Sequence, residues 1–593
     1  MTGQRGIGRM EMRGRPVAVI GLAVVIALGG LVAGRSSTLP RGGPGATLGG
    51  SPDEPDRDVG ATDAATVVRF SVVLEQPGAA QLRVFLDGLD DPSSPDYRAF
   101  LPAKDFGRRF GLPDRDIDTV ERWLEGRGFD VTSRPAQRTS LGVRGTAGQV
   151  EAAFGVALRD RIDPLGRRYH APDAEPPVPT DLTSLVASIT DLDSEPHDPS
   201  GVPLYGAPGG QLTPAAVARA YEIEAMHARG LYGEGQTIGI VSFDTFLKED
   251  VDAFDVAAGI AAIAGKPSPA VRVDRLPDAG LTPGRNTNEV NLDIDVVRTI
   301  APLAQIIDYE APNDGAFAPV LREINDRGLV DIVTISWGRC ERKKSASQRK
   351  AADMEFEAAY AADINVFVAS GDHGAYGCRY FPTPTGQPRY RDLGLSADYP
   401  SVNPHVIAVG GTYLSVLTDG TYLAETAWDD ALSGWATGGG VSTEYDRSAW
   451  QLGPGVDNRY TTGKRQVPDV AGPADDASGF MVVYTPPGKA RRTTTSGGTS
   501  AASPFWAASM ILVRQLAEQR GVGRDGRGRL GHLAPLLYDL AQSAPAGALF
   551  HDITIGGNLY HDATSGWDYA TGLGSPRVGP LADAIIQRLG SGH

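Results

Sequence analysis

The 593-residue sequence lacks several features that would point to particular classes of protein. Its two cysteines are too few for a structural zinc site. Acidic residues outnumber basic ones, with 72 Asp and Glu against 56 Lys and Arg, which gives a net charge of -16. This balance argues against nucleic acid as a main partner and suits a soluble protein. No internal repeat is visible, and the chain is too long for one core, so several domains are expected.

The amino terminus predicts export. Arginines precede an apolar run from Pro16 to Gly34, and the run ends in small residues. A basic lead, an apolar stretch and small residues are typical of a signal peptide. The run is also long enough to span a bilayer. Residues 1–34 are therefore interpreted as a signal peptide or a membrane anchor, and the protein as secreted or held at the cell surface.

The rest of the chain divides by composition. Residues 35–64 are rich in Gly, Pro, Ser and Asp and predict a disordered tether. Residues 65–195 combine strand and helix patterns and predict a compact α+β domain. Residues 196–212 are turn-rich and read as a linker. In residues 213–593 apolar strands alternate with helices, which predicts a mostly parallel sheet flanked by helices, with the site at the carboxyl ends of strands.

A candidate nucleophile lies in the segment GTSAASP, at Ser500. A long apolar helix follows, so Ser500 would lie at a helix N-terminus, where backbone N–H groups favour a developing oxyanion. The alternative is that Ser500 only caps this helix. A nucleophilic serine needs a base, yet none of the nine histidines lies in an HGTH-like segment. Only His373, in ASGDHG, lies beside a candidate motif.

Two acids offer a different base. Glu289 and Asp293 are four residues apart in NTNEVNLDIDVVRTIAP, so on a helix they share one face. Two carboxylates so close share a proton, and one can act as a base that the other orients. Asp295, two positions on, points elsewhere. The alternative is a solvated acidic helix face.

A third acid, Asp372, follows the strand INVFVASG and precedes a turn. A protonated aspartate there can donate a hydrogen bond to an oxyanion. Protonation is natural in acid, since the unperturbed pKa of aspartate is about 3.9. A serine nucleophile, a glutamate base, an aspartate partner and an aspartate donor together specify a serine peptidase for low pH.

These motifs, in this order, resemble the sedolisin family of serine-carboxyl peptidases. EVNLDIDV resembles the family's Glu/Asp segment, and VTISWG resembles its substrate-lining strand, with Trp337 and Gly338. ASGD resembles its oxyanion aspartate and SGGTSAASP its nucleophile. SPDYRAFLPAKDFGRRFG and GTAGQVEAAFGVAL resemble its activation prodomain. The resemblance implies a ferredoxin-like prodomain before a subtilisin-like catalytic domain.

The resemblance also implies roles and partners. Ser500 would attack the peptide carbonyl, Glu289 would take its proton, Asp293 would support Glu289, and Asp372 would donate to the tetrahedral intermediate. The chain would be a monomeric zymogen that acts on polypeptides, as an endopeptidase rather than a tripeptidyl-peptidase. Its own prodomain would be an intramolecular inhibitor, cut off within residues 196–212.

A calcium site and a disulfide are implied as well. FHDITIGGNLY and SGWDYATGLGSP resemble the family's calcium loop. One structural Ca²⁺ would be held by five residues, through two carboxylates and three backbone carbonyls: Asp552 and Asp568, with Ile553, Thr564 and Gly566. Relatives usually have glycine in place of Thr564. In an exported protein, Cys340 and Cys378, both near the cleft by this resemblance, are expected to form a disulfide.

The sequence departs from the family at two positions. Ser242 stands where kumamolisin-like relatives extend the carboxylate relay with a glutamate, and Asp244 follows two residues on, so the extended relay is either absent or rebuilt. His373 stands where relatives have serine. Two rival hypotheses therefore stay open: a serine peptidase that uses His373 as its base, and a catalytically impaired surface protein that keeps the fold as a binding or scaffold module.

Overall fold

The computed structural model describes most of the chain. The predicted signal or anchor, residues 35–55 of the predicted tether and residues 200–211 of the linker lie outside the described residues. Within the described part, none of the helices combines the length and apolar character that crossing a bilayer requires. The described ranges are 56–163, 166–199, 212–314, 316–379, 393–430, 434–522 and 528–590.

The described residues between 56 and 199 form eight strands and four α-helices. The strands are β1 (Arg57–Ala61), β2 (Val67–Leu74), β3 (Asp130–Ser133), β4 (Ser140–Thr146), β5 (Leu158–Ile162), β6 (Arg168–Pro172), β7 (Val186–Thr190) and β8 (Asp198–Pro199). The helices are α1 (Ala79–Asp90), α2 (Ala103–Phe110), α3 (Asp114–Glu125) and α4 (Ala147–Phe154).

The core of this amino-terminal domain is an antiparallel sheet in the order β3–β4–β2–β7. This is the ferredoxin-like strand order, as predicted. Strand β2 is buried from Phe70 to Leu74, and Phe70 packs edge-on against Phe129 and Phe154. Helix α4 begins at a capping box formed by Thr146 and Gln149.

The predicted tether is too long at its carboxyl end. Strand β1 pairs antiparallel with β5, and β5 pairs with β6, so the chain is already ordered at Arg57. Composition predicted disorder here because this short strand holds few apolar residues. The strand is instead stabilised by backbone pairing and by the guanidinium of Arg159, which pairs with Asp58.

Residues 212–590 contain the remaining elements. The strands are β9 (Thr237–Ser242), β10 (Arg272–Arg275), β11 (Gln305–Glu310), β12 (Ile332–Ile335), β13 (Trp337–Cys340), β14 (Asn365–Ala369), β15 (Asp398–Tyr399), β16 (Ile407–Val416), β17 (Tyr422–Ala427), β18 (Asp429–Asp430), β19 (Trp435–Ala436), β20 (Gly440–Asp446), β21 (Lys464–Val467), β22 (Val470–Pro473), β23 (Phe480–Tyr484), β24 (Arg492–Ser496), β25 (Phe550–His551) and β26 (Ser575–Pro576). The helices are α5 (Pro214–Ala220), α6 (Glu224–His227), α7 (Lys248–Ala257), α8 (Ile260–Ala264), α9 (Thr287–Ile300), α10 (Ala318–Arg327), α11 (Ala346–Ala361), α12 (Thr499–Gln519), α13 (Leu533–Ser543) and α14 (Val578–Gly590).

The main sheet of this domain runs β10–β11–β9–β12–β14–β16–β17, with β22 also paired to β16. Its pairings are parallel except for β16 with β17. Helices α9 and α12 pack against each other, and α12 lies on β12, β14 and β16. Both helices are buried along almost their whole length, which explains their apolar sequences. The predicted α/β architecture is confirmed, and it holds α9 and α12 rigidly against the sheet.

The two domains meet at α10 and α11. The buried Gln137 side chain donates to Glu355 at 3.0 Å and to the backbone carbonyl of Arg322, also at 3.0 Å. In return Arg322 donates to the Ser140 hydroxyl at 2.9 Å. Since these groups are buried and paired, the amino-terminal domain is docked through specific polar contacts as well as through apolar packing.

Candidate active site

Ser500 is the second residue of the buried helix α12, directly after a glycine turn. Gly498 has a φ of +85°, a conformation that favours glycine, and a Cβ there would lie 2.5 Å from an Asp372 carboxylate oxygen. The glycine therefore lets Asp372 approach the start of the helix. This close approach explains why glycine precedes the candidate nucleophile better than simple helix capping does.

The structure brings Ser500 and Glu289 together. The Ser500 hydroxyl lies close enough to the Glu289 side chain to lower its pKa, and it donates a 3.4 Å hydrogen bond to the backbone carbonyl of Ser336. Burial first, and the neighbouring Asp293 carboxylate second, raise the pKa of Glu289 well above its usual value, and Ser500 opposes this. Glu289 is only 2 % exposed. The alternative of a solvated acidic helix face is therefore wrong.

Asp293 lies one helical turn further along α9 and is fully buried. Burial raises the pKa of Asp293 well above its usual value, while a hydrogen bond from Ser336 lowers it. The Ser336 hydroxyl lies 2.7 Å from Asp293 and 3.1 Å from the backbone carbonyl of Ser500. Sequence reasoning missed Ser336, although it is part of VTISWG; a hydroxyl at the carboxyl end of a central strand was the available signal.

Asp295 points away from this group, as the helical spacing predicted. Its carboxylate accepts a hydrogen bond of 3.0 Å from the backbone N–H of Val483 in β23. Asp295 is buried on the same helix as Glu289 and Asp293 but faces a different neighbour.

Asp372 lies against the first turn of α12. One of its carboxylate oxygens accepts hydrogen bonds from the Thr499 backbone N–H at 2.8 Å and from the Thr499 hydroxyl at 2.7 Å. Burial raises the pKa of Asp372 to about 7, against the opposing effect of Thr499. Below that pH its carboxyl group carries a proton that it can donate.

His373 has the wrong properties for the base. Burial, followed by the charge of Arg379, lowers the pKa of His373 to about 3. Its ring packs against Trp435 with a centroid distance of 5.0 Å. An imidazole that binds protons this weakly is a poor general base. It is also neutral above about pH 3, so it adds no cation beside Asp372 over most of the acid range.

Trp337 and Gly338, the predicted substrate-lining residues, lie in β13, which β8 joins as an antiparallel strand. In the register, Trp337 is opposite Pro199 and Gly338 is opposite Asp198. The end of the amino-terminal domain thus runs along the strand that was expected to line the substrate. An extended peptide can add to a sheet edge in this way.

His197, just before β8, is anchored by contacts that the sequence did not predict. Its buried ring lies between Phe243 and Phe317, at centroid distances of 4.8 and 4.5 Å. Its backbone N–H donates to the Asn313 side chain at 2.6 Å, and Asn313 donates back to the His197 carbonyl at 3.0 Å. These paired bonds hold the backbone of the linker on the catalytic domain.

The two residues at the end of the first catalytic-domain strand serve different neighbours. Asp244 accepts hydrogen bonds from the backbone N–H groups of Gly284, at 2.7 Å, and Asn286, at 2.8 Å. It therefore supports the loop that enters α9. The Ser242 hydroxyl instead donates to Asp308 in β11 at 2.6 Å.

The five predicted calcium ligands gather around one turn. Asp568 is buried and accepts 2.8 Å hydrogen bonds from the backbone N–H groups of Thr564, Ala570 and Thr571. Asp552 accepts from the backbone N–H of Gly566 at 3.1 Å. The backbone of Ile553 follows Asp552 directly. Among the described residues, no group of three or more His, Cys, Asp or Glu side chains is arranged to hold a metal ion.

Cys340 and Cys378 are joined in a disulfide, with their Cα atoms 4.8 Å apart. Cys340 ends β13 and Cys378 follows the turn of Asp372 and His373. The bond connects the strand that pairs with β8 to the segment that carries Asp372.

A subtilisin-like sheet, a serine at the start of a buried helix and buried carboxyl groups beside that serine define the class as a subtilisin-like serine peptidase fold. Comparison with known proteins agrees. Residues 56–195 match the pro-kumamolisin activation domain, and residues 257–544 match the subtilase family. The chain is 30% identical to kumamolisin from Bacillus sp. over 557 residues, which cover 89% of this chain and 93% of kumamolisin.

Other relatives and a solved structure fit the same group. Tripeptidyl-peptidase sed1 of Aspergillus fumigatus is 25% identical over 88% of this chain and 93% of its own length. The structure of Pseudomonas sedolisin complexed with pseudo-iodotyrostatin superposes with a TM-score of 0.53 at 24% identity, over 64% of this chain and 99% of sedolisin. The chain belongs to the sedolisin family of serine-carboxyl peptidases and carries that family's activation prodomain, residues 56–195.

Proposed function

We propose that the chain is an exported, acid-active endopeptidase in which Ser500 is the nucleophile and Glu289 the general base. The proximity of the Ser500 hydroxyl to Glu289, which is buried together with Asp293, supports this assignment most strongly. A serine hydroxyl becomes a nucleophile when a base beside it accepts its proton. Of the nine histidines, the one in a candidate motif, His373, has a lowered pKa that suits no such role.

The proton moves within the carboxylate pair. Glu289 and Asp293 share one proton, because two buried acids so close do not both ionise readily. Glu289 takes the Ser500 proton as Oγ attacks the peptide carbonyl, and it later returns that proton to the leaving amine. A water molecule then attacks the acyl-enzyme in the same way. Ser336 holds Asp293 through its 2.7 Å hydrogen bond, so Asp293 keeps Glu289 oriented.

Asp372 stabilises the oxyanion. Thr499 occupies one carboxylate oxygen of Asp372 and leaves the other for the proton, next to Gly498. The N-terminus of α12 adds its backbone N–H groups and dipole. Since the pKa of Asp372 is about 7, the donor is present in acid and is lost as the pH rises through that value.

The prodomain inhibits the enzyme until it is removed. Pairing of β8 with β13 supports this, since the linker takes the strand position that we assign to substrate. We place the maturation cut downstream of Pro199, within residues 196–212, and assign it to the enzyme itself in acid. The mature enzyme acts as a monomer, secreted or anchored by residues 1–34 at the cell surface.

Endopeptidase action is favoured over release of tripeptides. Upstream of β8 the chain still contacts the catalytic domain, since Glu195 forms an ion pair with Arg339 of β13. A tripeptidyl-peptidase must block the cleft beyond the third residue before the cut. Contacts of the catalytic domain with the chain from Glu195 to Pro199 suit cleavage within a polypeptide.

One Ca²⁺ would be held by Asp552, Asp568 and the carbonyls of Ile553, Thr564 and Gly566. Asp568 is a buried carboxylate whose contacts are neutral N–H and O–H groups, and burial raises its pKa to about 7. A divalent cation would compensate this charge, and calcium accepts carboxylate and carbonyl oxygens. The ion would be structural, since the turn that holds it is separate from the motifs of the carboxylate pair.

A covalent serine probe tests the proposal at the site itself. Processed wild-type protein should be labelled by a fluorophosphonate in acid, whereas Ser500→Ala and Glu289→Gln chains whose prodomain has been removed by tagged wild-type enzyme should not be labelled. Asp295→Asn, an equally buried acid on the same helix, should be labelled like the wild type. Absence of label in the correctly processed wild type would favour the rival hypothesis of a non-catalytic binding protein.

A further inference from the structure

The linker occupies a pocket of the catalytic domain as well as a strand position. The fully buried ring of His197 packs against Phe243 and Phe317, at centroid distances of 4.8 and 4.5 Å. The two phenylalanine rings contact each other edge-on at 5.5 Å, and Phe243 also contacts Trp337 edge-on at 5.4 Å. Two aromatic rings therefore enclose one side chain of the linker, and a third ring supports them.

The walls of this pocket belong to elements that the catalytic domain keeps after maturation. Phe243 directly follows β9, Phe317 directly precedes α10, and Trp337 begins β13. With the linker in place, each of these side chains is at most 3 % exposed. Removal of the linker would therefore expose aromatic surface beside the strand that we assign to substrate, and burying such surface again is favourable.

The backbone beside the pocket is bound in a way that does not depend on the linker's sequence. The Asn313 side chain accepts a 2.6 Å hydrogen bond from the backbone N–H of His197 and donates a 3.0 Å hydrogen bond to its backbone carbonyl. Residues other than proline carry this donor and this acceptor on the main chain. Asn313 can therefore hold the backbone of a substrate in the same place.

The register of β8 relates the pocket to the bond that is cut. β8 runs antiparallel to β13, with Pro199 opposite Trp337. A peptide in this register places its next residue opposite Ser336, whose backbone carbonyl lies 3.4 Å from the Ser500 hydroxyl. That residue then presents its own carbonyl group to the nucleophile. The position of His197, two residues before Pro199, is therefore the fourth before the scissile bond.

We propose that Phe243 and Phe317 form a specificity pocket for an aromatic side chain of the substrate, at the fourth residue before the bond that is cut. The inference rests on the proposed function, because it requires Ser500 to attack a peptide in the register of β8. A substrate ring in the pocket buries a large apolar area and makes edge-on or stacked contacts with the walls. A small side chain leaves the pocket unfilled and loses those contacts.

The experiment compares two peptides with the mature wild-type enzyme in acid. One peptide consists of alanine and serine with a single Phe, and the other has Ala in place of that Phe. The Phe peptide should be cut after the third residue that follows the Phe, as mass spectrometry of the products will show. For that bond, kcat/KM should exceed the value of the Ala peptide by about tenfold or more, because a large apolar side chain becomes buried.

A matched pair of variants assigns the preference to the pocket. Phe317→Ala removes one wall and should reduce the ratio between the two peptides to less than about threefold. Tyr413→Ala removes an exposed aromatic side chain of β16, outside the pocket, and should keep the wild-type ratio. Each result is a ratio of two rates from one preparation, so the fraction of active enzyme cancels.

Three results would overturn the pocket: cleavage of the Phe peptide at a different bond, a wild-type ratio near one, or an undiminished ratio in Phe317→Ala. If Phe317→Ala does not fold, the bond and the ratio measured with the wild type decide. Failure of the proposed function would look different. Glu289→Gln, freed of its prodomain by tagged wild-type enzyme, would then cut both peptides as fast as the wild type.

Discussion

Thr499 holds Asp372 with two hydrogen bonds to a single carboxylate oxygen, from its backbone N–H at 2.8 Å and from its hydroxyl at 2.7 Å. The residue that precedes Ser500 is thereby tied to the acid proposed to stabilise the oxyanion. The two bonds fix which oxygen accepts and leave the second oxygen of Asp372 to carry the proton. Thr499 therefore fixes the position of the Asp372 carboxyl group relative to Ser500.

Asp372→Asn should extend activity to higher pH. An asparagine amide keeps the acceptor for Thr499 and donates at any pH, whereas the Asp372 carboxyl loses its proton as the pH rises through about 7. The variant should retain kcat at about pH 4 within roughly tenfold and lose its decline near neutrality. Asp372→Ala, which has no donor, should be impaired by about a hundredfold or more at every pH. A decline at unchanged pH in Asp372→Asn would show that another group sets that limb.

Glu289 and His373 can be separated by substitution. Glu289→Gln removes the proposed base and should lower kcat/KM by at least about a thousandfold. His373→Ala, a change to a neighbour of the site, should lower it by less than about tenfold, because the lowered pKa of His373 suits no base. Both are measured at the pH of maximal activity after the prodomain has been removed by tagged wild-type enzyme that is then withdrawn, because a chain without its base should not mature unaided. The reverse order of effects would assign the base to His373.

Maturation should require the enzyme's own serine. A purified Ser500→Ala chain incubated at about pH 4 should keep its prodomain, while the wild type should lose the residues upstream of the linker. Mass spectrometry of the new amino terminus gives the cut. Addition of a trace of active wild type shows whether the Ser500→Ala linker is still a substrate. A pure Ser500→Ala chain that matured unaided would mean that Ser500 does not make the cut.

Removal of calcium should destabilise the carboxyl-terminal turn. A chelator should lower the melting temperature of the wild type, and added Ca²⁺ should restore it, since a ligand that binds only the folded state stabilises that state. Asp568→Asn should have a lower melting temperature, and neither the chelator nor added Ca²⁺ should change it. Asp562→Asn, an acid in the same region outside the proposed ligand set, should respond like the wild type. A wild-type melting temperature that does not change with calcium would show that the chain has no stabilising Ca²⁺ site.

The carboxylate pair was predictable because its geometry is local. Glu289 and Asp293 lie one helical turn apart, so any helix brings them together, and the apolar residues around them indicated burial. Ser500 was predictable from the glycine turn before an apolar helix. The patterns of residues 65–195 predicted an α+β domain, whereas its ferredoxin-like strand order was implied only by the resemblance to the family.

What could not be predicted depends on pairing between distant segments. Asp308 reaches Ser242 only because β11 and β9 lie side by side in the sheet. Asp244 is the acid nearest to Ser242 in the sequence, but its carboxylate accepts hydrogen bonds from the loop before α9 instead. The pairing of β8 with β13 likewise joins the end of one domain to a strand of another, which no local pattern encodes. Strand β1 was not predicted for the same reason, because it is ordered by pairing with β5, which is distant in the sequence.

The most direct test of the central claim is hydrolysis of a denatured protein across about pH 2 to 8, a range that brackets the carboxyl and histidine pKa values, by wild type and Glu289→Ala. Activity should be confined to acid and abolished by the loss of Glu289. Activity that peaks near neutrality and survives the loss of Glu289 would contradict that claim, and would place the base elsewhere than in the buried carboxylate pair.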